Sequence, residues 1–245
     1  MDNMFKINDE IIVNLDEYVD TSSLVALKPQ IEYAIALHFD KAVPSQYVGD
    51  IFLDKGKGFL DITDDERVEF FNKYPYLKDL THNQLLLWLR YHLNITYGQS
   101  HLHVISSRSW EHKHLRGECD KSEVTESFLP FLDWVESQQI FSSYGRVNLF
   151  LNEPGCSTPI HHDPPHKHIS PKDQFIWITL DDRKKFFVYD EETRQRHYSE
   201  GIVSTFDNHN YHGSDPGKFA NWSIRVDGVF SEEFLTKTGM FRHFQ

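Results

Sequence analysis

From about Tyr144 to Phe230 the chain is written in short segments rich in β-branched and aromatic residues: "GRVNLFLNEPG", "DQFIWITL", "KKFFVYD", "GIVSTFD" and "NWSIRVDGVF". Side chains of this kind pack well on a pleated surface, and the Gly, Pro, Asn and Asp that separate the segments favour turns. No helix-length pattern intervenes between them. Closely spaced strands without crossover helices point to a sandwich or a barrel, a β core over residues 141–245.

The first 140 residues read differently, as a mainly helical part integral to the same domain. "SSLVALKPQIEYAIALHF" has apolar residues at helical spacing, with Pro29 expected at a helix start or break. "THNQLLLWLRYHLNI" has Thr81 and Gln84 at capping-box spacing ahead of an apolar run. The final "EEFLTKTGMFRHF" is expected to be helix or coil. At 245 residues and 39% apolar, the chain can bury one sizeable core.

Charge and cysteine content exclude several classes. A net charge of −12 argues against non-specific binding to nucleic acid or an anionic membrane. The two cysteines, Cys119 and Cys156, make neither a disulfide framework nor a Cys-based zinc site. The acidic start lacks the order of a secretory signal, and no apolar run approaches the roughly 20 residues that cross a bilayer. The chain therefore reads as soluble and cytoplasmic.

"TPIHHDPPHKHIS", residues 158–170, places four histidines and an aspartate in thirteen positions. In a strand, His161 and Asp163 share one face and His162 points the other way. Pro164 and Pro165 follow at once, which sets the pair at a rim; a solvated turn is the alternative. Two imidazoles and a carboxylate suit a divalent transition metal, and "FDNHNYHG" offers the second imidazole in His212 or His209. Thirteen residues beyond His212, Arg225 lies inside a strand-like segment, where its burial requires a carboxylate partner.

His161-x-Asp163, a distal His212 and then Arg225 resemble, in order, the iron(II)- and 2-oxoglutarate-dependent dioxygenases. The stretch "GIVSTFDNHNYHGSDPG" is most similar to their aspartyl/asparaginyl β-hydroxylase-like branch. The resemblance spans about 144–230. It implies a double-stranded β-helix, or jelly roll, with Fe(II) on His161, Asp163 and His212. It also implies 2-oxoglutarate as cosubstrate, with its far carboxylate on Arg225, and O2 as oxidant. The spacing to Arg225 favours His212 over His209, and the retained Asp163 favours hydroxylation over halogenation.

Softer candidates follow. Asn148, alternating with Phe150, is placed to contact the 2-oxo acid or else solvent; Trp177 and Thr179 are placed to flank it or to pack the core. His166 and His168 decorate the following loop. His101, His103, His112 and His114 lack a carboxylate at period two and read as surface or rim residues. The favoured activity is hydroxylation of a small polar molecule such as an amino acid. A peptide hydroxylase, a cupin-like enzyme with another metal and a non-catalytic jelly roll are the alternatives.

Overall fold

In the computed structural model the described residues are 6–44, 72–73, 75, 99–163, 173–190 and 193–244. The "THNQLLLWLRYHLNI" segment, His166 and His168 lie outside them.

Eight strands carry the core: β5 (Phe141–Asn152), β6 (Thr158–His161), β7 (Gln174–Ile178), β8 (Phe186–Asp190), β9 (Gln195–Tyr198), β10 (Val203–Thr205), β11 (His212–Ser214) and β12 (Asn221–Phe230). Apart from the β8–β9 pair, successive strands pass back and forth between two antiparallel sheets. The larger contains the order β10-β7-β12-β5, and the smaller is β6-β11-β8-β9. That strand order is a jelly roll, a double-stranded β-helix.

Residues from the N-terminal part widen the larger sheet. β1 (Val13–Asn14) pairs with β10, and β3 (Gln99–Ser107) pairs with β5, followed by β2 (Val43–Pro44) and β4 (Cys119–Lys121) on β3. Among its described residues the N-terminal part thus contributes strands as well as the helices that its sequence suggested. The alternation in β3, "QSHLHVISS", is too rich in polar residues to signal a strand by itself.

Alternation along the central strands splits the apolar residues into two layers. Val147, Leu149, Ile176, Ile178, Ile224 and Val226 face outward into the main core, packed with residues of α1 (Thr21–Leu37) and α2 (Leu129–Ser137). Phe175, Trp177, Phe186, Val188 and Phe206 form a smaller aromatic core between the sheets. The two helices are tied where Trp134 Nε1 donates to the carbonyl of Asp20, whose carboxylate caps α1 by accepting from Ser23 N.

Pro29 sits inside α1 rather than at its start or a break. A proline there removes the hydrogen bond from residue 29 to the Val25 carbonyl. Val25 is 45% exposed, so water can take that carbonyl and the helix continues. The C-terminal segment forms α3 (Glu232–Thr238), capped by Ser231 Oγ accepting from Phe234 N and closed by Gly239 at φ 73°.

Candidate metal centre

His161 ends β6 and His212 begins β11, and the two are register partners across the smaller sheet. Their ring centroids are 4.4 Å apart. Asp163 lies two residues past the end of β6, where its backbone N–H donates to Asn208 O at 2.9 Å. One ligand atom from each of His161, Asp163 and His212 falls within 4.8 Å of the others. Strand alternation was expected to aim His161 and Asp163 together. The strand stops at His161, and the tether to Asn208 turns Asp163 inward instead.

The surrounding groups fix which atoms remain for a metal. His212 is buried, and its Nδ1–H is placed to donate to Asn210 O at 2.9 Å, which leaves the Nε2 lone pair facing the site. Asp163 Oδ2 accepts from Asn208 Nδ2 at 2.7 Å and from Arg225 Nη1 at 3.0 Å. Its Oδ1 is left for coordination. Burial opposes the Asp163 charge, but Arg225, then His212 and His161, pull its pKa well below the usual carboxylate range. Burial, reinforced by His161, pushes His212 down to about 3, so its imidazole is neutral and able to ligate at physiological pH.

Arg225 has protein carboxylates as its partners. Besides Asp163, its Nε donates to Asp227 Oδ1 at 2.8 Å, while Nη2 lies 3.6 Å from Asp173 Oδ2 and makes no hydrogen bond. Its guanidinium carbon stands 3.9 Å from the Phe175 ring centroid. The carboxylates demanded by a buried arginine are thus supplied within the chain by Asp163 and Asp227. Asp227 Oδ2 also accepts from Arg146 Nε at 2.7 Å, and Lys113 pairs with Asp173. Three cations and three carboxylates thereby balance in one buried network.

The triad opens on a cleft between the sheets, with Arg146 and Phe150 of β5, Trp177 of β7, His101 of β3 and Trp110 among its walls. His101, read from sequence as a surface or rim residue, is one of these walls. Burial, followed by Arg146, depresses it to about 3. Asn148 is buried between its register partners His103 and Arg225, and Trp177 lies beyond Arg225. Thr179 follows β7, and its Oγ1 is buried without a hydrogen bond, as is Trp177 Nε1. His209 lies outside the triad, its Nδ1 bonded to Asp207 Oδ1 at 2.7 Å. His112 pairs with Ser109 and His114 is half-buried; neither joins the triad.

Arg146, Asn208, Asp173, Asp227, Lys113 and Lys184 were missed from sequence. Two of them left a signal: Arg146 alternates with Asn148 and Phe150, and Lys184 alternates with the inward Phe186 and Val188. Lys184 is 4% exposed and donates to Asn152 Oδ1. Burial, with Asp181 opposing, pushes its pKa down to about 7.

No family model and no curated protein matches the chain. Among solved structures it is similar to a prolyl-4-hydroxylase from Pseudomonas putida, at 11% identity and TM-score 0.34, covering 55% of this chain and 72% of that one. An oxidoreductase of the 2OG-Fe(II) oxygenase family from Burkholderia pseudomallei gives 13%, 0.37, 54% and 71%. An RmlC-like cupin protein from Desulfovibrio desulfuricans gives 12%, 0.25, 34% and 70%. The architecture rests on the strand order above rather than on these likenesses. What fold and site define is a jelly-roll protein with a largely buried two-histidine, one-carboxylate cluster lining the cleft between its sheets. Among the described residues no helix is long and apolar enough to cross a membrane.

Proposed function

We propose that this protein is an Fe(II)- and 2-oxoglutarate-dependent oxygenase that hydroxylates an unactivated C–H of a small polar substrate. One observation carries the reading. His161, Asp163 and His212 converge with one donor atom each, and the second oxygen of Asp163 is already tied to Arg225 and Asn208. A face of two imidazoles and one carboxylate oxygen suits ferrous iron and leaves neighbouring coordination positions open.

The residues also suit a 2-oxo diacid. Lys184 faces inward from the end of the barrel away from Asp163, beside Asn152, whose Nδ2 has no hydrogen bond. Asn152 lies on the same strand face of β5 as Arg146 and Phe150, which line the cleft. With Arg225 engaged by Asp163 and Asp227, Lys184 is the cation proposed to receive the far carboxylate. Ser223 Oγ, buried without a partner on the same inner face as Arg225, is a further donor there.

When bound, iron and 2-oxoglutarate supply the oxidation, taking up O2 and yielding succinate, CO2 and a hydroxylated substrate carbon. The chain's own work is positional. Arg225 and Asn208 hold Asp163, Asn210 holds His212, and Phe150, Trp177 and Phe186 keep water away from the metal side of the cleft.

The test is release of succinate from 2-oxoglutarate by purified protein. It should require Fe(II) and be lost in His161→Ala and His212→Ala. Wild-type succinate formation in His161→Ala would overturn the reading.

A further inference from the structure

The oxygenase reading leaves one part of the cleft unexplained. On the inner face of the larger sheet, β3 and β5 bring together His103 and Asn148, which are register partners, with Arg146 two residues before Asn148 on the same face. Arg146, Phe150 and His101 border the cleft, and Asn148 lies between Arg146 and Phe150.

This patch lacks hydrogen-bond partners. Asn148 is 0% exposed, yet neither its Nδ2 nor its Oδ1 is bonded. Arg146 is 6% exposed; Asp227 takes its Nε, but its Nη2 is unbonded, as is His103 Nδ1. Buried polar atoms are rarely orphaned, because each gives up its bonds to water. Four on contiguous positions call for a ligand that completes them.

The atoms state what that ligand carries. A guanidinium N–H and an amide N–H side by side complement a carboxylate. Asn148 Oδ1 accepts from a donor on the same molecule, a role an α-ammonium fills. The other cation of the cleft floor, Arg225, is already held by Asp163 and Asp227.

We propose that the substrate is a small carboxylic acid of the amino-acid type, whose carboxylate is bound by Arg146 and Asn148. This subsite is separate from the one at Lys184. The proposal rests on the oxygenase reading for the hydroxylation itself.

The experiment has two arms. In the first, the common L-amino acids and their carboxamides are compared for stimulation of Fe(II)-dependent succinate formation. At least one free acid should stimulate while its carboxamide does not. Arg146→Gln and Asn148→Leu should each lose that stimulation by about tenfold or more, the scale of a charge-assisted hydrogen bond. The loss should exceed any loss of affinity for N-oxalylglycine, a redox-inert analogue of 2-oxoglutarate.

The second arm needs no turnover. Asn148→Leu keeps the branched shape but removes the orphaned amide, so the melting temperature of the ligand-free protein should rise by about 2 °C or more. Carboxamides that work as well as acids, or a panel in which no acid stimulates, would overturn the proposal. So would a lower melting temperature, or an Arg146→Gln protein that loses N-oxalylglycine as severely as Lys184→Met, because the carboxylate at Arg146 would then belong to the 2-oxo acid. Failure of the oxygenase reading shows itself separately, as a wild-type protein that neither binds N-oxalylglycine nor turns over 2-oxoglutarate.

Discussion

Arg225 on β12 donates from Nη1 to Asp163 Oδ2 at 3.0 Å, so the last strand of the jelly roll holds the carboxylate of the candidate metal centre. Because Asn208 Nδ2 binds the same oxygen, Asp163 meets an ion through Oδ1 with its rotation already fixed. Arg225→Gln should therefore weaken Fe(II) binding, measured anaerobically by calorimetry, by about 10–100-fold, the usual effect of losing an outer partner of a metal ligand. Unchanged iron affinity together with weakened N-oxalylglycine binding would return Arg225 to the role of diacid ligand.

Lys184 should make diacid binding depend on pH. Its pKa is pushed down to about 7 by burial, so above that the ligand-free protein holds it neutral. A bound carboxylate restores the charge, and binding then takes up a proton. Affinity for N-oxalylglycine should fall by up to about tenfold per unit above about pH 7. Calorimetry in buffers of different ionisation enthalpy should find uptake of about one proton at about pH 8.5. Lys184→Met should bind more weakly and show no such uptake. The same shift has a consequence for folding. The unfolded chain binds the proton more tightly than the folded one, so this group's contribution to stability rises from about pH 7 towards the ordinary lysine range.

Gly145 is where the chain between β3 and β4 touches the core. A Cβ there would lie 2.2 Å from Lys113 O, the carbonyl that accepts from Arg146 N at 2.7 Å. Backbone, not a flexible side chain, stands in the way. Gly145→Ala should displace Lys113 and Trp110 from the cleft and destabilise the protein by about 2 kcal/mol or more in denaturant unfolding.

Asp227 is fully buried and receives Arg146 and Arg225 on its two oxygens. Asp227→Asn leaves two buried guanidinium groups with one carboxylate fewer. A loss of about 3–5 kcal/mol in unfolding free energy is expected, the size seen when one partner of a buried ion pair is removed. A change within about 0.5 kcal/mol, as for an ordinary surface substitution, would show the network to be solvated.

The candidate triad was legible because each of its two pieces is a short local pattern, although the pieces lie about fifty positions apart. His161 and Asp163 are two residues apart, and His212 follows the turn-like Asp207-Asn208, although it opens β11 where the sequence suggested a turn. The strands β5, β7, β8, β10 and β12 were legible from their β-branched and aromatic runs. β9, "QRHY", was not, because an exposed edge strand needs no apolar pattern. His101 was open between surface and rim for a related reason: β3 gains its inward face only by pairing with β5, a contact between residues about fifty apart. The partners of Arg225 were hidden in the same way. Asp227 is its neighbour, but Asp163 reaches it from 62 positions away, and only the closed barrel brings them together.

The most direct measurement is the stoichiometry and affinity of Fe(II) in the metal-stripped protein, compared with His212→Ala and Asp163→Ala. One ion per wild-type chain is expected, with binding lost in both variants. Wild-type protein that takes up no ion, or variants that bind it equally well, would contradict a metal held by His161, Asp163 and His212.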